Sequence, residues 1–453
     1  MNFSTTIQTD AGEKVAQLFG SYISMYIAEH PDAHIGDIEN RMRKELQEIG
    51  RRSLEIALTS SDKQQPSTVC TCGEEAVYRF RRHAKTITVF GQVQYKRSYY
   101  SCSCGKGVAP LDRQMRIEPG QLSRGVVPLL ALLGIQTSFG EAKKLAKQLL
   151  LLDISDNSIR KATKAMGTAR NEIEVQMKEE SESSTFLTQR ERIEKDAPAR
   201  LYGSIDGVLI PVDNDYYELK VGSWYTVDPI PERQWPSRYN QRVGQLEALK
   251  ATEIEYYSDT SRAPNFSGLV WGTGCRRLAD RAKELIFIAD GAKWIWNIVD
   301  ENFPNAVQIL DWYHAVEYLT PIARSLFPKE EEQEKWLIEM KTHLWFSRTN
   351  TVIDACLALG QNPIVAKVAL EAATYYNNNL NRMDYVDFRN QGYLIGSGTI
   401  ESGCKQIGTM RMKRSGAQWT ENGANLVAKA RASWLSDQWE SLTTYYQQLP
   451  LVA

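Results

Sequence analysis

Leu285-Ile286-Phe287-Ile288-Ala289-Asp290-Gly291 is an unbroken apolar run that ends on a carboxylate and a glycine. A short run without polar alternation reads as a strand buried on both faces, as in parallel sheets. Its terminal Asp290, beside a glycine turn, stands where α/β folds place reactive groups. Downstream, a helix is expected from near Trp294, followed by a second strand over 306–311 that ends on Asp311. Upstream, residues 202–212, 216–227 and 251–257 read as strands, with a helix near 267–284. Three strands followed by alternating helix and strand predict an α/β fold with a mixed sheet.

The chain has 453 residues, enough for two to four domains. The longest apolar runs, such as 126–133, are too short to span a bilayer, so no membrane partner is expected. The first residues lack a basic start and an apolar core, which argues against a secretory signal and for a cytoplasmic location. The formal net charge is −1, so any nucleic-acid contact must come from local clusters.

Six segments follow from the pattern. Residues 1–65 read as helical, with Ile38, Met42 and Leu46 on one stripe. Residues 66–112 read as a small zinc-ribbon-like β module. Within it, Cys70-Thr71-Cys72-Gly73 and Cys102-Ser103-Cys104-Gly105 bracket a hairpin. Four thiolates in two pairs suit a structural Zn²⁺, although the spacing is tighter than the usual C-x₂-C; four unliganded cysteines are the alternative. Arg81, Arg82, Lys96 and Arg97 alternate with tyrosines on this hairpin, a pattern that suits DNA phosphates and equally a solvated basic face. Residues 113–185 read as a helical, helix-turn-helix-like region. Its inward residues are expected to be Ala142, Leu145, Leu149, Ile159 and Ala162, with Ser155 as an N-cap and Arg160 and Lys161 free to meet DNA. The charged stretch 178–184 reads as a linker. Residues 200–318 hold the first part of the α/β core, 319–385 a helical insertion, and 386–453 the completion of the core.

Asp206 lies mid-strand among apolar neighbours, where a carboxylate is costly unless something neutralises it. Glu401 opens a helix in Gly396-Ser397-Gly398-Thr399-Ile400-Glu401-Ser402. Brought together with Asp290, these carboxylates could hold two divalent ions for phosphoryl transfer. Each alone reads first as a cap, a turn residue or a solvated charge, and only the strand, strand, helix context raises the triple above that.

The ordered set Ser204-Ile205-Asp206-Gly207-Val208, Ile288-Ala289-Asp290-Gly291, Asp311-Trp312-Tyr313-His314 and Gly396 to Ser402 resembles the RNase H-like core of DDE transposases. It is most similar to bacterial insertion-sequence enzymes of the ISKra group. The basic segment Arg411-Met412-Lys413-Arg414 through Trp419 fits the same likeness. The resemblance implies a triad of Asp206, Asp290 and Glu401 holding Mg²⁺ (or Mn²⁺), with Asp311 and His314 as an accessory pair and Asp311 as runner-up ligand. It further implies cleavage and joining of double-stranded DNA, at the element's terminal inverted repeats and at a target, by a homodimer or larger assembly associated with the nucleoid. Lys405, Arg411, Lys413 and Arg414 are the expected contacts to the DNA backbone near the scissile phosphate. The alternatives are a nuclease with the same core that hydrolyses without joining, and a catalytically silent DNA-binding protein.

Overall fold

The computed structural model describes residues 10–183, 185, 197–230 and 249–450. The chain divides into two compact units: Met1–Gly134 with Phe139–Ala162 and Gln447–Ala453, and Ile135–Ser138 with Thr163–Tyr446. No described helix is long and apolar enough to cross a membrane.

The first unit opens with helices α1 (Asp10–Glu29) and α2 (Ile35–Ser61). A four-stranded antiparallel sheet follows: β1 (Ser67–Val69), β2 (Glu75–Thr88), β3 (Gly91–Cys102) and β4 (Gly107–Val108), paired in that order. The edge of β3 not used by β2 is a potential template for unwanted strand pairing. Helix α2 covers it. Glu55 accepts from the N–H of Gln94 at 2.9 Å, Thr59 from Lys96 at 3.3 Å, and Asp62, just past the helix, from Ser98 at 2.9 Å. Spacings of four and three residues on the helix thus match a spacing of two on the strand.

Helices α3 (Pro110–Gln114), α4 (Val126–Gln136) and α5 (Phe139–Leu149) come next, then α6 (Asp156–Ser181). Ser155 caps α6 as expected, its Oγ accepting from the N–H of Ser158 at 3.1 Å. Two expectations fail here. Leu145 and Leu149 face solvent, because α5 buries its small residues Ala142 and Ala146 instead. The charged stretch taken for a linker is helical as far as Ser181.

The second unit is built on a five-stranded mixed sheet. Its strands are β5 (Arg200–Val212), β6 (Asp215–Pro229), β7 (Leu249–Asp259), β8 (Glu284–Ala289) and β9 (Val307–Leu310), in spatial order β7-β6-β5-β8-β9. Strands β5, β6 and β7 form an antiparallel meander, and β8 and β9 add in parallel. Helices α7 (Ala263–Arg276) and α8 (Lys293–Asn302) make the parallel connections. The period of two in each strand separates two cores. Leu201, Ile205, Phe287 and Ala289 pack on α7 and α8, whereas Tyr202, Ile286, Ile288 and Ile309 face the other way.

That second face is covered by α9 (Trp312–Glu317), α10 (Leu319–Leu326), α11 (Glu330–Trp345), α12 (Thr349–Leu359), α13 (Ala366–Asn378) and α14 (Tyr385–Asn390). Leu319, Leu344, Val352, Ala372 and Tyr385 join the sheet side chains in one core. The predicted helical insertion is therefore a covering layer of the sheet and runs beyond 385. The chain closes with α15 (Gly398–Cys404), a π-helical turn over Lys405–Thr409, α16 (Met410–Met412), α17 (Glu421–Leu435) and α18 (Trp439–Gln448).

Helix α17 carries a fully buried Lys429, whose Nζ lies 2.7 Å from Asp259 and contacts Glu174. Glu174 also takes Arg170 at 2.7 Å. Removing one partner from such a group strands the opposite charges away from water. Lys429→Ala is expected to lower stability by about 3–5 kcal/mol, read from denaturant unfolding followed by tryptophan fluorescence; a loss under about 1 kcal/mol would show the cluster to be energetically idle.

Candidate active site

Strand β5 pairs with β8 as far as Ile205 opposite Ala289, and β8 with β9 as far as Ala289 opposite Leu310. One residue further on each strand stands an aspartate: Asp206, Asp290 and Asp311. Neighbouring strands lie about 4.8 Å apart, so the three carboxylates form a row along the C-terminal edge of the parallel strands. Gly291 lets the chain turn there at close quarters. A Cβ on it would lie 2.2 Å from the ring of Tyr375, which stacks on Tyr318 at 3.8 Å.

The three aspartates differ in how much of their hydrogen-bonding capacity is used. Asp311 is fully buried and accepts three N–H bonds. Its Oδ2 takes the backbone N–H of His314 at 2.7 Å and lies 2.8 Å from the ring Nδ1, while Oδ1 takes the N–H of Ser397 at 2.6 Å. Ser397 Oγ in turn donates to Glu401 at 2.9 Å. Asp206 accepts from the N–H of Gly207 at 2.7 Å and Asp290 from that of Ala292 at 2.9 Å. Each thus has one described backbone donor, against the three donors of Asp311. Helix α15 also carries Cys404, whose buried thiol is pushed well up, by burial first and then by the nearby Asp206 charge.

Among the described residues, one acidic trio is tight enough for a single ion: ligand atoms of Asp311, His314 and Glu401 all lie within 4.8 Å of one another. Asp206 and Asp290 are outside it. Three of the roughly four acceptor positions of Asp311 are taken by protein donors, so the trio reads first as a hydrogen-bonded support for Glu401.

Charge in the site is unbalanced toward the negative. Burial raises the pKa of Asp206, and the charge of Asp290 adds to the rise. Burial likewise raises Asp290, partly offset by the Ala292 N–H and by His314. The bond to Asp311 pushes His314 up to about 9, so its ring is a cation at neutral pH. Two carboxylates disfavoured as anions by burial, each with a single described donor, are oxygen ligands of the kind a hard divalent cation such as Mg²⁺ takes. Sequence reasoning missed Ser397 and Cys404 as members of this site. The Gly-Ser-Gly setting of Ser397 was the available signal; Cys404 offered none.

The four paired cysteines also come together. Cys70 and Cys104 Sγ atoms are 3.7 Å apart, Cys72 and Cys102 3.6 Å, and all four fall within 4.8 Å. Zn–S bonds of about 2.3 Å imply tetrahedron edges of about 3.8 Å, so the spacing matches. Each pair sits on a turn closed by a positive-φ glycine, Gly73 at 94° and Gly105 at 82°. The backbone N–H of Cys72 pulls Cys70 down to about 6 and that of Cys104 lowers Cys102, while against the pull of the Glu74 N–H the neighbouring thiols push Cys72 up to about 12.

The predicted DNA contacts divide sharply. Arg82, Lys96, Arg160, Lys161, Lys405 and Lys413 are exposed, and Arg81 is exposed while paired with Asp62. Arg97 is a correction: it is buried on Asp112 at 2.7 Å, and Tyr95 donates to the same carboxylate. Arg411 is another. It lies buried over the Trp419 ring at 4.9 Å, and burial lowers its pKa to about 10. Arg414 is half-buried and donates to the carbonyls of Met410 and Gln136.

The family model of an uncharacterised protein family (UPF0236) matches residues 32–190. The match takes in α2, the cysteine-bearing sheet and α3 to α6, and stops before the carboxylate-bearing sheet. No curated protein matches the chain.

The Asp311 bond should be visible in the titration of His314. In Asp311→Asn, NMR titration of the histidine ring protons is expected to show His314 falling from about 9 toward its ordinary 6.5. Because its folded pKa is raised, the stability it contributes is complete below pH 6.5 and disappears as pH rises through 9. Wild type should therefore lose its advantage over His314→Asn across that window.

Proposed function

We propose that the chain is the transposase of a bacterial insertion sequence, with an RNase H-like core that cleaves and joins DNA strands. The observation that carries this reading is the row Asp206–Asp290–Asp311 at the parallel edge, with Glu401 held beside it through Ser397. The three-strand meander followed by two helix–strand units is the element order this reading expects. In it, Asp206, Asp290 and Glu401 hold Mg²⁺ or Mn²⁺, and Asp311 and His314 position them. When bound, the ions supply the positive charge that stabilises an in-line phosphoryl displacement.

The protein's own part is to bind and orient. Cleavage breaks the P–O3′ bond at the element's end with water as nucleophile; the freed 3′-hydroxyl then attacks a target phosphodiester, forming a new P–O3′ bond as the target strand's own P–O3′ bond breaks to leave a 3′-hydroxyl. Asp311 fixes the start of α15 and so the direction of the Glu401 carboxylate. The His314 imidazolium offsets part of the negative charge that would otherwise repel a phosphate. In this reading the exposed Arg82, Lys96, Arg160, Lys161, Lys405 and Lys413 meet DNA backbone, each as a phosphate contact without base information.

The cysteine cluster belongs to the same proposal as a structural zinc site, joining the two hairpin ends of the first unit. Its chemistry is separable from catalysis, since four thiolates leave no open position for a reactant.

Two measurements test the reading. With labelled element ends and a target plasmid, the protein is expected to give joined product in Mg²⁺, and Asp206→Asn, Asp290→Asn and Glu401→Gln to lose it by more than about a hundredfold. Cut but unjoined ends would favour the hydrolytic alternative, and full activity in Asp290→Asn would end the proposal. Purified protein should also carry one zinc per chain, by elemental analysis, and Cys72→Ser with Cys104→Ser should lose it together with several degrees of melting temperature.

A further inference from the structure

The strand pair that carries the cysteine knuckles gathers positive charge in a chain whose net charge is −1. Between Ala76 and Leu111 stand seven Lys or Arg and no Asp or Glu. Two of the seven are paired with acids outside that span, Arg81 with Asp62 at 3.2 Å and Arg97 with Asp112 at 2.7 Å. Arg79, Arg82, Lys85, Lys96 and Lys106 are exposed, and among the described residues no acid pairs with them. Five successive residues of β2, Arg79 to His83, all reach solvent. Because successive side chains of a strand point to opposite faces, neither face is fully covered there.

Aromatic rings lie among these cations. Phe80 is 52% exposed, although its side chain has no polar atom to gain from solvent. Its ring stacks against Tyr99 on the paired strand, with 5.6 Å between centroids and 29° between planes. The Arg82 guanidinium lies 5.7 Å from the centre of the Tyr99 ring. At its other end the Tyr99 hydroxyl passes over Gly107 of β4, where a Cβ would overlap it. The glycine therefore leaves room for the ring to lie across β3 and β4, and the residue before it is the exposed Lys106.

We infer that this surface is a platform for single-stranded DNA, with unpaired bases stacking on Phe80 and Tyr99 and the surrounding cations, Arg82 first, meeting the phosphates. The charge selects a polyanion, since a local surplus of Lys and Arg in an otherwise balanced chain is the footprint of such a partner. The rings select an unpaired strand. In a duplex the faces of the bases are stacked on one another, and a protein meets only their edges and the backbone. An unpaired base offers its face, and stacking on an aromatic side chain tolerates any sequence. A merely solvated basic strand accounts for the cations but not for an exposed phenylalanine in their midst. The platform stands on the first unit alone and adds base stacking to the phosphate contacts proposed above. Its assignment to DNA over RNA rests on the transposase reading, in which strand cleavage frees DNA ends.

The test is fluorescence anisotropy of the full chain with labelled oligothymidylate of about twenty nucleotides, oligouridylate, and a DNA duplex of equal length. Oligothymidylate is expected to bind at least about tenfold more tightly than the duplex. The double variant Phe80→Ala, Tyr99→Ala is expected to lose about tenfold or more for the single strand and less than about twofold for the duplex. Phe80→Trp, which keeps a stacking ring, should retain the wild-type preference. Equal affinity for single strand and duplex, or an unchanged single-strand affinity in the double variant, overturns the inference. So does displacement of the probe by polyglutamate as readily as by unlabelled oligothymidylate, which would show an acidic peptide to be the occupant. Tighter binding of oligouridylate overturns the assignment to DNA. Should the double variant misfold, oligothymidylate carrying 5-iodouracil is photo-cross-linked to the unaltered chain and the adducts are mapped by mass spectrometry. Adducts on Phe80 or Tyr99 support the platform, and adducts found only elsewhere overturn it. Strand transfer enters none of these readouts. A failed platform leaves the result of the carboxylate variants standing, and single-strand binding without joined product fails the transposase reading alone.

Discussion

A carboxylate sealed from water has to find its hydrogen bonds inside the protein, and Asp311 finds them in two distant parts of the chain. The N–H of His314 lies three residues away on α9, whereas the N–H of Ser397 comes from 86 residues further along. An unsatisfied buried carboxylate is too costly to tolerate, so these bonds fix the approach of α15 to the end of β9. Everything arranged at the sheet edge follows from that approach. Glu401 is oriented through Ser397, and the His314 ring is held as a cation among the acids.

The row itself is a consequence of register. Parallel pairing sets equivalent residues of β5, β8 and β9 side by side, so Asp206 within β5 and the aspartates that follow β8 and β9 come out as three adjacent carboxylates without any special loop. Six helices from Trp312 to Asn390 then shield one face, and α7 and α8 the other. The edge is left as the place where polar groups collect, in keeping with the general position of sites in α/β sheets.

The first unit is organised by different means. Its sheet has a small core, Cys70, Ala76, Tyr100, Cys102 and Val108, and two of those five residues belong to the thiol cluster. The unpaired edge of β3 is closed by Glu55, Thr59 and Asp62 from α2 and its end. With Glu55, Thr59 and Asp62 committed to that edge, Ile35, Ile49 and Ile56 of the same helix stay exposed.

The strands, their aspartate ends and the cysteine knuckles were legible in the sequence because each is a local pattern. Apolar runs, period-two alternation and C-x-C-G spacing are complete within a few residues, and the element order around Asp206 and Asp290 emerged from them nearly intact. Which charges stay in solvent was not legible. Arg97 and Arg411 look like their exposed neighbours in sequence, yet Asp112 and Trp419 draw them into the interior. Leu145 and Leu149 look like core, yet α5 packs closely only through Ala142 and Ala146. The trio of Asp311, His314 and Glu401 likewise depends on contacts across some ninety residues, which no local periodicity encodes. Sequence by itself determined the elements and their chemical endowment; the tertiary structure decided which carboxylates are filled, which remain free, and which cations have left the surface, because burial and hydrogen-bond satisfaction are settled only when distant segments meet.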